Sequence, residues 1–398
     1  MFKKLFTTKA AKQNKQSSAN AYVHFLHNAV WMQRNYREFA NEAYIKNVIA
    51  HRAINLIAQG AASVDFSLFA KASNGKQTPI HNHSLLNLLA RPNPRQSKKE
   101  FFLALYTYRQ IHGNAYILMN DVLQPTELYS LRPDRVIVNA GEGFFPINYT
   151  YKINQQEYIY LVDQITGQSQ IIHLKNFHPL SDWQGLSSIE AAAYSIDQHN
   201  QAGAWNQALL QNGARPSGAL IVKNADGKPA HLDENEFLRL RQMIDESFSG
   251  AFNAGRPLLL EGGLEWQEMS LSPRDMDFID AKNSAARDIA LAFGVPPQLL
   301  GIPGDNTYSN LVEARIALWE QTILPLVNDT LDYLNQWIAR LFGAELILYC
   351  NTENIGALAQ KREAVWQRVQ AADFMTINEK RQAVGLAPIA DGDYLVTK

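Results

Sequence analysis

Apolar and polar positions follow two rhythms along this chain, and the change between them divides it. Val48, Ala53, Ile54 and Ile57 recur at helical spacing and predict a first helix from about Glu42 to Ile57. Val64–Ala70 alternates as a strand, and Ser73-Asn74-Gly75 reads as a turn. Leu85–Leu89 predicts a short helix stopped by Arg91-Pro92-Asn93-Pro94, because each proline biases its predecessor away from helical backbone. Ser97 with Glu100 makes a capping box, opening a helix through about His112 that Gly113-Asn114 ends. Ala115–Asn120, Leu128–Leu131, Val136–Asn139, Ile147–Ile153, Tyr158–Val162 and Ile171–Leu174 then read as strands separated by turn residues. To about residue 180 this is one α+β domain.

From Trp183 the rhythm becomes helical. Ser187 with Glu190 makes a second capping box, and a helix runs to about Asn212 before Gly213. Its residues are mostly small or carry amides, and few are large and apolar. A single subunit gains little by burying such a face, so the helix is expected in solvent or against a copy of itself. Ala219–Val222, Leu258–Leu260 and Leu264–Met269 read as strands around a helix capped by Asp233 and Glu236. Ser272-Pro273 starts the next helix, with serine at the cap and proline at the first helical position. Met276, Ile279, Asn283, Ala286, Ala290 and Phe293 form a narrow seam along it, ended by Gly294 before Val295-Pro296-Pro297. Gly301–Asn310 has no regular pattern. A long helical pattern follows from Leu311 to about Phe342, with Pro325 expected to kink it. Leu346–Cys350 reads as a strand returning to the first domain's sheet. Helices over about Ile355–Ala372 and Thr376–Val384 close the chain, Thr376 and Glu379 capping the second. No internal repeat is visible.

Composition narrows the function. The 398 residues hold 37 Lys+Arg against 38 Asp+Glu, a net charge of −1, which argues against a basic surface that clings to nucleic acid. Charged residues make up 19%, under the usual quarter, with Asn and Gln filling the gap. Cys350 is the single cysteine, so neither a disulfide nor a structural zinc site is available, and it reads as a buried strand residue in a reducing compartment. No run approaches the roughly 18 apolar residues of a membrane helix. The first twenty residues carry five lysines and no acid, reading as a flexible basic arm or as contact with a partner or nucleic acid.

The search for chemistry finds no catalytic constellation. There is no phosphate-binding loop. Gly141-Glu142-Gly143 is not followed by a helix pattern, and Phe248-Ser249-Gly250 is a helix end, not a nucleophile elbow. His81 and His83 lack acidic partners at ligand spacing. Glu261, Glu265 and Glu268 lack a partner base and read as surface carboxylates. No cofactor and no enzyme activity are expected.

Several strings, in order, resemble the portal proteins of tailed bacteriophages and gene-transfer agents. They include Arg91-Pro92-Asn93-Pro94, Gly113-Asn114-Ala115-Tyr116, Leu128-Tyr129-Ser130-Leu131-Arg132-Pro133 and Gly185-Leu186-Ser187-Ser188-Ile189-Glu190. Asn212-Gly213-Ala214-Arg215-Pro216, Ala254-Gly255-Arg256-Pro257, Leu260-Glu261-Gly262-Gly263-Leu264, Phe293-Gly294-Val295-Pro296-Pro297, Thr307-Tyr308-Ser309-Asn310 and Asn378-Glu379-Lys380-Arg381 continue the set.

The resemblance implies an α+β portal fold. A basic arm (1–40) would precede an α/β wing (41–182), a first stem helix (183–213), a small α/β clip (214–272) and a second stem helix (273–294). A tunnel-loop region (295–312), a long kinked helix with the returning wing strand (313–352) and a short helical crown (353–398) would follow. It implies a homo-oligomeric ring, usually of twelve, at one capsid vertex. Double-stranded DNA would be packaged and ejected through its channel. The ring would dock the terminase large subunit and then the head–tail adaptor, beside major capsid and scaffold proteins and with no membrane. The protein would reside in the virion after assembly in the bacterial host cytoplasm.

On that map Gly304, Asp305, Asn306, Thr307, Tyr308, Ser309 and Asn310 face DNA from the tunnel loop, with an ordinary surface loop as the alternative. Arg239, Arg241 and Arg256 in the clip face DNA, motor or adaptor, or plain solvent. Met276, Ile279, Asn283 and Ala286 pack the stem. A 20-residue helix is about 30 Å long, enough for a tilted channel wall, and a face rich in small residues suits identical neighbours in a closed ring. A head-completion or tail adaptor that binds a portal is the competing reading. A packaging nuclease or ATPase is a further one, disfavoured by the missing phosphate loop.

Overall fold

The structure is a computed structural model that describes residues 31–71, 77–143, 145–211, 218–223, 233–248, 264–268, 278–304, 308–343, 345–386 and 389–395. Met32–Lys398 forms one compact unit and Met1–Trp31 a separate one, of which Trp31 is described. Within the expected arm, residues 36–40 are helical, and Met32 and Phe39 are buried.

Helix α1 (Tyr36–Glu38) widens into a π-helical segment, Phe39–Ile45, and α2 (Val48–Ala62) follows. The expected continuous helix from Glu42 breaks at Asn47, because Asn47 caps α2 by accepting from the Ile49 and Ala50 amides. β1 (Asp65–Lys71) and β2 (Gln77–Ile80) precede α3 (Ser84–Ala90) and α4 (Lys98–His112). The capping box of Ser97 and Glu100 is formed in full, and Gly113 ends α4 in the left-handed region, φ 77°.

β3 (Asn114–Met119), β4 (Leu128–Leu131), β5 (Val136–Asn139), β6 (Asn148–Ile153), β7 (Gln156–Leu161) and β8 (Ile171–Lys175) make two antiparallel sheets, ordered β4-β3-β8 and β5-β6-β7. Then come α5 (Ser188–Gln211), β9 (Gly218–Val222), α6 (Glu234–Phe248), β10 (Leu264–Glu268) and α7 (Phe278–Ala292). β9 and β10 pair antiparallel. The expected strand at Leu258–Leu260 and the turn at Ser73-Asn74-Gly75 lie outside the described residues.

From Tyr308 to Phe342 the backbone is helical throughout: α8 (Tyr308–Leu318), a π segment Trp319–Ile323, α9 (Leu324–Leu334), a π segment Asn335–Ala339 and α10 (Arg340–Phe342). Pro325 stands exposed near the start of α9, where the preceding π turn already runs from the Leu324 amide to the Trp319 carbonyl. β11 (Leu346–Asn351) pairs antiparallel with β1, Leu348 opposite Leu68, giving the sheet β11-β1-β2 and returning the chain to its first domain as its pattern predicts. Cys350 lies on this strand half-buried, not fully buried. α11 (Ala359–Ala371) and α12 (Ile377–Ala383) close the fold, with the Thr376–Glu379 box formed.

The main core joins α2, α4, β1, β3, the first half of α5, the end of α7 and α9. Phe101, Phe102, Leu105 and Tyr106 of α4 and Ile54 and Ile57 of α2 are essentially solvent-free. Each such burial contributes on the order of 2 kcal/mol. A second core under the β5-β6-β7 sheet gathers Tyr116, Leu131, Val136, Tyr149, Val162 and Ile171.

Candidate functional site

The two helices read as stem, α5 and α7, pack side by side, with Ser195 Oγ 3.5 Å from Asp288 Oδ2. α5 departs from expectation. Its first half buries Ile189, Ala192, Ala193 and Ile196 in the main core of its own chain. Its amides serve the chain too. Asn200 donates to the Glu42 carbonyl (2.9 Å), and the Asn47 amide donates to Asn200 Oδ1 (2.9 Å) and contacts His199 Nδ1 (3.2 Å). Asp197 accepts from the Met32 amide, and burial holds its carboxyl above the ordinary range. Burial, aided by Lys282 of α7, keeps the His199 imidazole below its usual value. The amide enrichment is thus partly an intrachain network, which composition could not distinguish from a surface made for copies. Ala191, Tyr194, Gln198 and Gln201 form an exposed stripe on the same helix.

On α7 the predicted seam divides. Ala286 is buried, with Ala290, against Ile302 of the following loop. Asn283 is half-buried and Ile279 is exposed, while Met276 lies outside the described residues. α7 ends in a Schellman turn: the Gly294 amide donates to Leu291 O and the Val295 amide to Ala290 O, with Gly294 at φ 64°. Thr322 of the π segment donates to the Gly294 carbonyl at 2.6 Å, fixing α7 to the long helix. Arg287 donates to the Pro303 carbonyl and approaches Gly304 so closely that a β-carbon there would collide with its guanidinium. The loop therefore starts held against α7. Of its other predicted residues, Tyr308, Ser309 and Asn310 form the first turn of α8 and are not loop, and Asp305, Asn306 and Thr307 lie outside the described residues. In the predicted clip, Arg239 and Arg241 are exposed on α6, and Arg256 lies outside the described residues.

A polar knot at the base of α5 carries more structure than its sequence suggests. Asn114 accepts from the Gly185 amide (2.7 Å) and is 2.9 Å from His173 Nε2. The Asn176 amide donates to Gly113 O (2.8 Å), and Asn176 Nδ2 donates to Leu186 O (3.0 Å). Gly113 and Gly185 touch backbone to backbone, leaving no room for a β-carbon on either. Two strings that carry the resemblance, 72 positions apart, thus meet in space. Ser187 then donates to the Ile111 carbonyl (2.8 Å) and accepts from the Ile189 amide (3.0 Å) at the start of α5. Burial holds His112 near 4 and His173 near 3, so both are neutral at physiological pH, and Tyr116 stacks on His173 with centroids 4.4 Å apart.

Arg109, 5% exposed, donates to Asn176 Oδ1 (2.8 Å) and Thr330 Oγ1 (3.3 Å) and pairs with Asp329 of α9. Its role was readable only as a charge on the buried stripe of Phe102, Leu105 and Arg109. His83 caps α3, its Nδ1 accepting from the Leu85 amide. Glu265 pairs with Lys223. Among the described residues no cluster suits a metal ion, and no helix is long and apolar enough to cross a membrane.

Known proteins agree with this architecture. The family model for "Phage portal protein" matches residues 49–385. An uncharacterized protein of Rickettsia bellii is 49% identical over 354 residues, covering 89% of this chain and 90% of that one. The portal protein of Enterobacteria phage HK97 is 23% identical, covering 86% and 79%. A chain in the neck of a native gene transfer agent particle, computed with C12 symmetry, superposes with a TM-score of 0.67 at 39% identity, covering 90% of this chain and 96% of that one. The chain belongs to the phage portal protein family, whose members are structural proteins of virions and not enzymes.

Proposed function

We propose that this chain forms a closed ring, of twelve copies, at one capsid vertex, and that double-stranded DNA passes through its channel during packaging and ejection. The observation that carries the reading is its 39% identity, across 90% of its length, to a chain of a particle neck with C12 symmetry. On this reading the protein sits in the virion neck. The terminase large subunit docks first and the head–tail adaptor later, with capsid and scaffold proteins around the wing. Residues 41–182 serve as wing, α5 and α7 as stem, the β9–α6–β10 region as clip, the segment from Gly301 as tunnel loop, and α11 with α12 as crown. Arg239 and Arg241 would meet DNA, motor or adaptor, and their exposure on α6 supports that role.

Near-neutral charge suits a channel that passes DNA without gripping it. A protein neutralising about 6–10 phosphates loses roughly 10³–10⁵ in affinity between low and moderate salt, and such contacts would brake translocation. The assembled ring should therefore bind duplex weakly and with a shallow salt dependence. Deleting the gene tests the function: heads without packaged DNA are expected, restored by the gene in trans. Heads that fill normally without this chain would reject the reading.

A further inference from the structure

Beside the long helix lies a cleft of about 490 Å³ between α2, the Pro297–Leu300 turn and α8. Its floor is apolar, with Leu56, Trp319 and Ile323, and Arg52 and Arg315 stand exposed at its sides. Among the described residues no carboxylate lines it and neither arginine has an ion pair. Gln298 Oε1, also in its lining, is a buried acceptor without a hydrogen-bond partner in the described structure. An apolar floor, two cations without a described counter-charge and an unmet acceptor together specify the occupant. It should be an apolar side chain next to a carboxylate, on backbone with a free amide.

The chain carries such an element. Asp373-Phe374 forms the turn between α11 and α12, and the Phe374 ring is 82% exposed. The turn is held in shape by the Thr376–Glu379 capping box, by Lys380 donating to Gln370 O (3.4 Å) and by a bridge from Thr376 to Leu395. A rigid knob loses little conformational entropy on docking. α11 is anchored beside the cleft, since Lys361 near its start pairs with Glu320, the neighbour of Trp319. Its 13 residues span about 20 Å and carry the turn outside its own cleft.

We infer that the Asp373-Phe374 turn of one copy seats in the α2–α8 cleft of the next, the phenyl ring on the apolar floor and the carboxylate between Arg52 and Arg315. Neither Asp373 nor Phe374 lines the cleft of its own chain, so a copy that docks the turn there makes the head-to-tail contact that a closing ring repeats. The inference rests on the ring reading given above.

Replacing Phe374 by a photo-crosslinking phenylalanine analogue tests it in the full-length protein. Irradiated rings should give covalently linked subunits whose joined peptides contain Arg52–Gly60 or Leu311–Ile323. Rings that form but crosslink elsewhere, or not at all, would overturn the docking while leaving the ring standing. A wild-type chain that stays monomeric would overturn both. In parallel, Arg315→Asp and Asp373→Arg should each lower ring yield about tenfold, and the pair together should restore it. Single variants that assemble like wild type would also overturn the docking.

Discussion

Two helical regions of this chain meet opposite fates. α4 and the first half of α5 bury one face completely within the subunit, with Phe101, Tyr106, Ile189 and Ile196 essentially solvent-free. α11 and α12 bury no residue, and Trp366, Phe374, Leu386, Ile389, Tyr394 and Leu395 around them stay exposed. Propensity and caps suffice to write both as helices, since the same Ser/Thr-x-x-Glu box opens α4 and α12. The first region completes its packing with its own chain. The second presents apolar side chains that its own chain leaves uncovered, as a protomer built for neighbours does.

The sharpest way to break the contrast is at the knot beneath α5. Gly113→Val places a β-branched residue at φ 77° and drives its side chain into the Gly185 and Leu186 backbone. A loss of about 3 kcal/mol or more is expected, read as a collapse of the urea midpoint or of soluble yield. Arg109→Met comes next, at about 2–3 kcal/mol. It takes away the donor to Asn176 Oδ1 and to buried Thr330 Oγ1, which keeps only its bond to the Leu326 carbonyl, while half-exposed Asp329 retains its water.

The histidines of the knot give a pH test with a fixed sign. Below about 6.5 the unfolded chain protonates both, while the folded chain holds His112 neutral to near 4 and His173 to near 3. Their stabilisation is complete above 6.5 and is lost as pH falls, by on the order of 1 kcal/mol per pH unit for each. The urea midpoint should fall between pH 7.5 and 5.5, above the range where carboxylates titrate, and a flat profile would contradict the burial. The smallest effect belongs to the other region. Phe374→Ser should leave subunit stability within about 0.5 kcal/mol, because the ring it removes is already in water.

What was legible in the sequence follows from the same contrast. Strands β3 to β8, strand β11 and the capping boxes of α4 and α12 were readable because local chemistry writes them. The π segments Phe39–Ile45 and Trp319–Ile323 were not, since they arise where packing adds a residue to a turn without changing composition. The buried face of α5 was misread because alanines and asparagines look alike whether they meet a copy or the same chain. The Arg109 and Asn114 networks needed partners 59 to 221 positions away, beyond any local pattern.

Single-particle imaging of the purified full-length protein bears most directly on the claim that this subunit finishes its packing only among copies. The account predicts closed rings of twelve, with α11 and α12 of each subunit covered by the next. A monodisperse monomer with α11 and α12 still bare would contradict it.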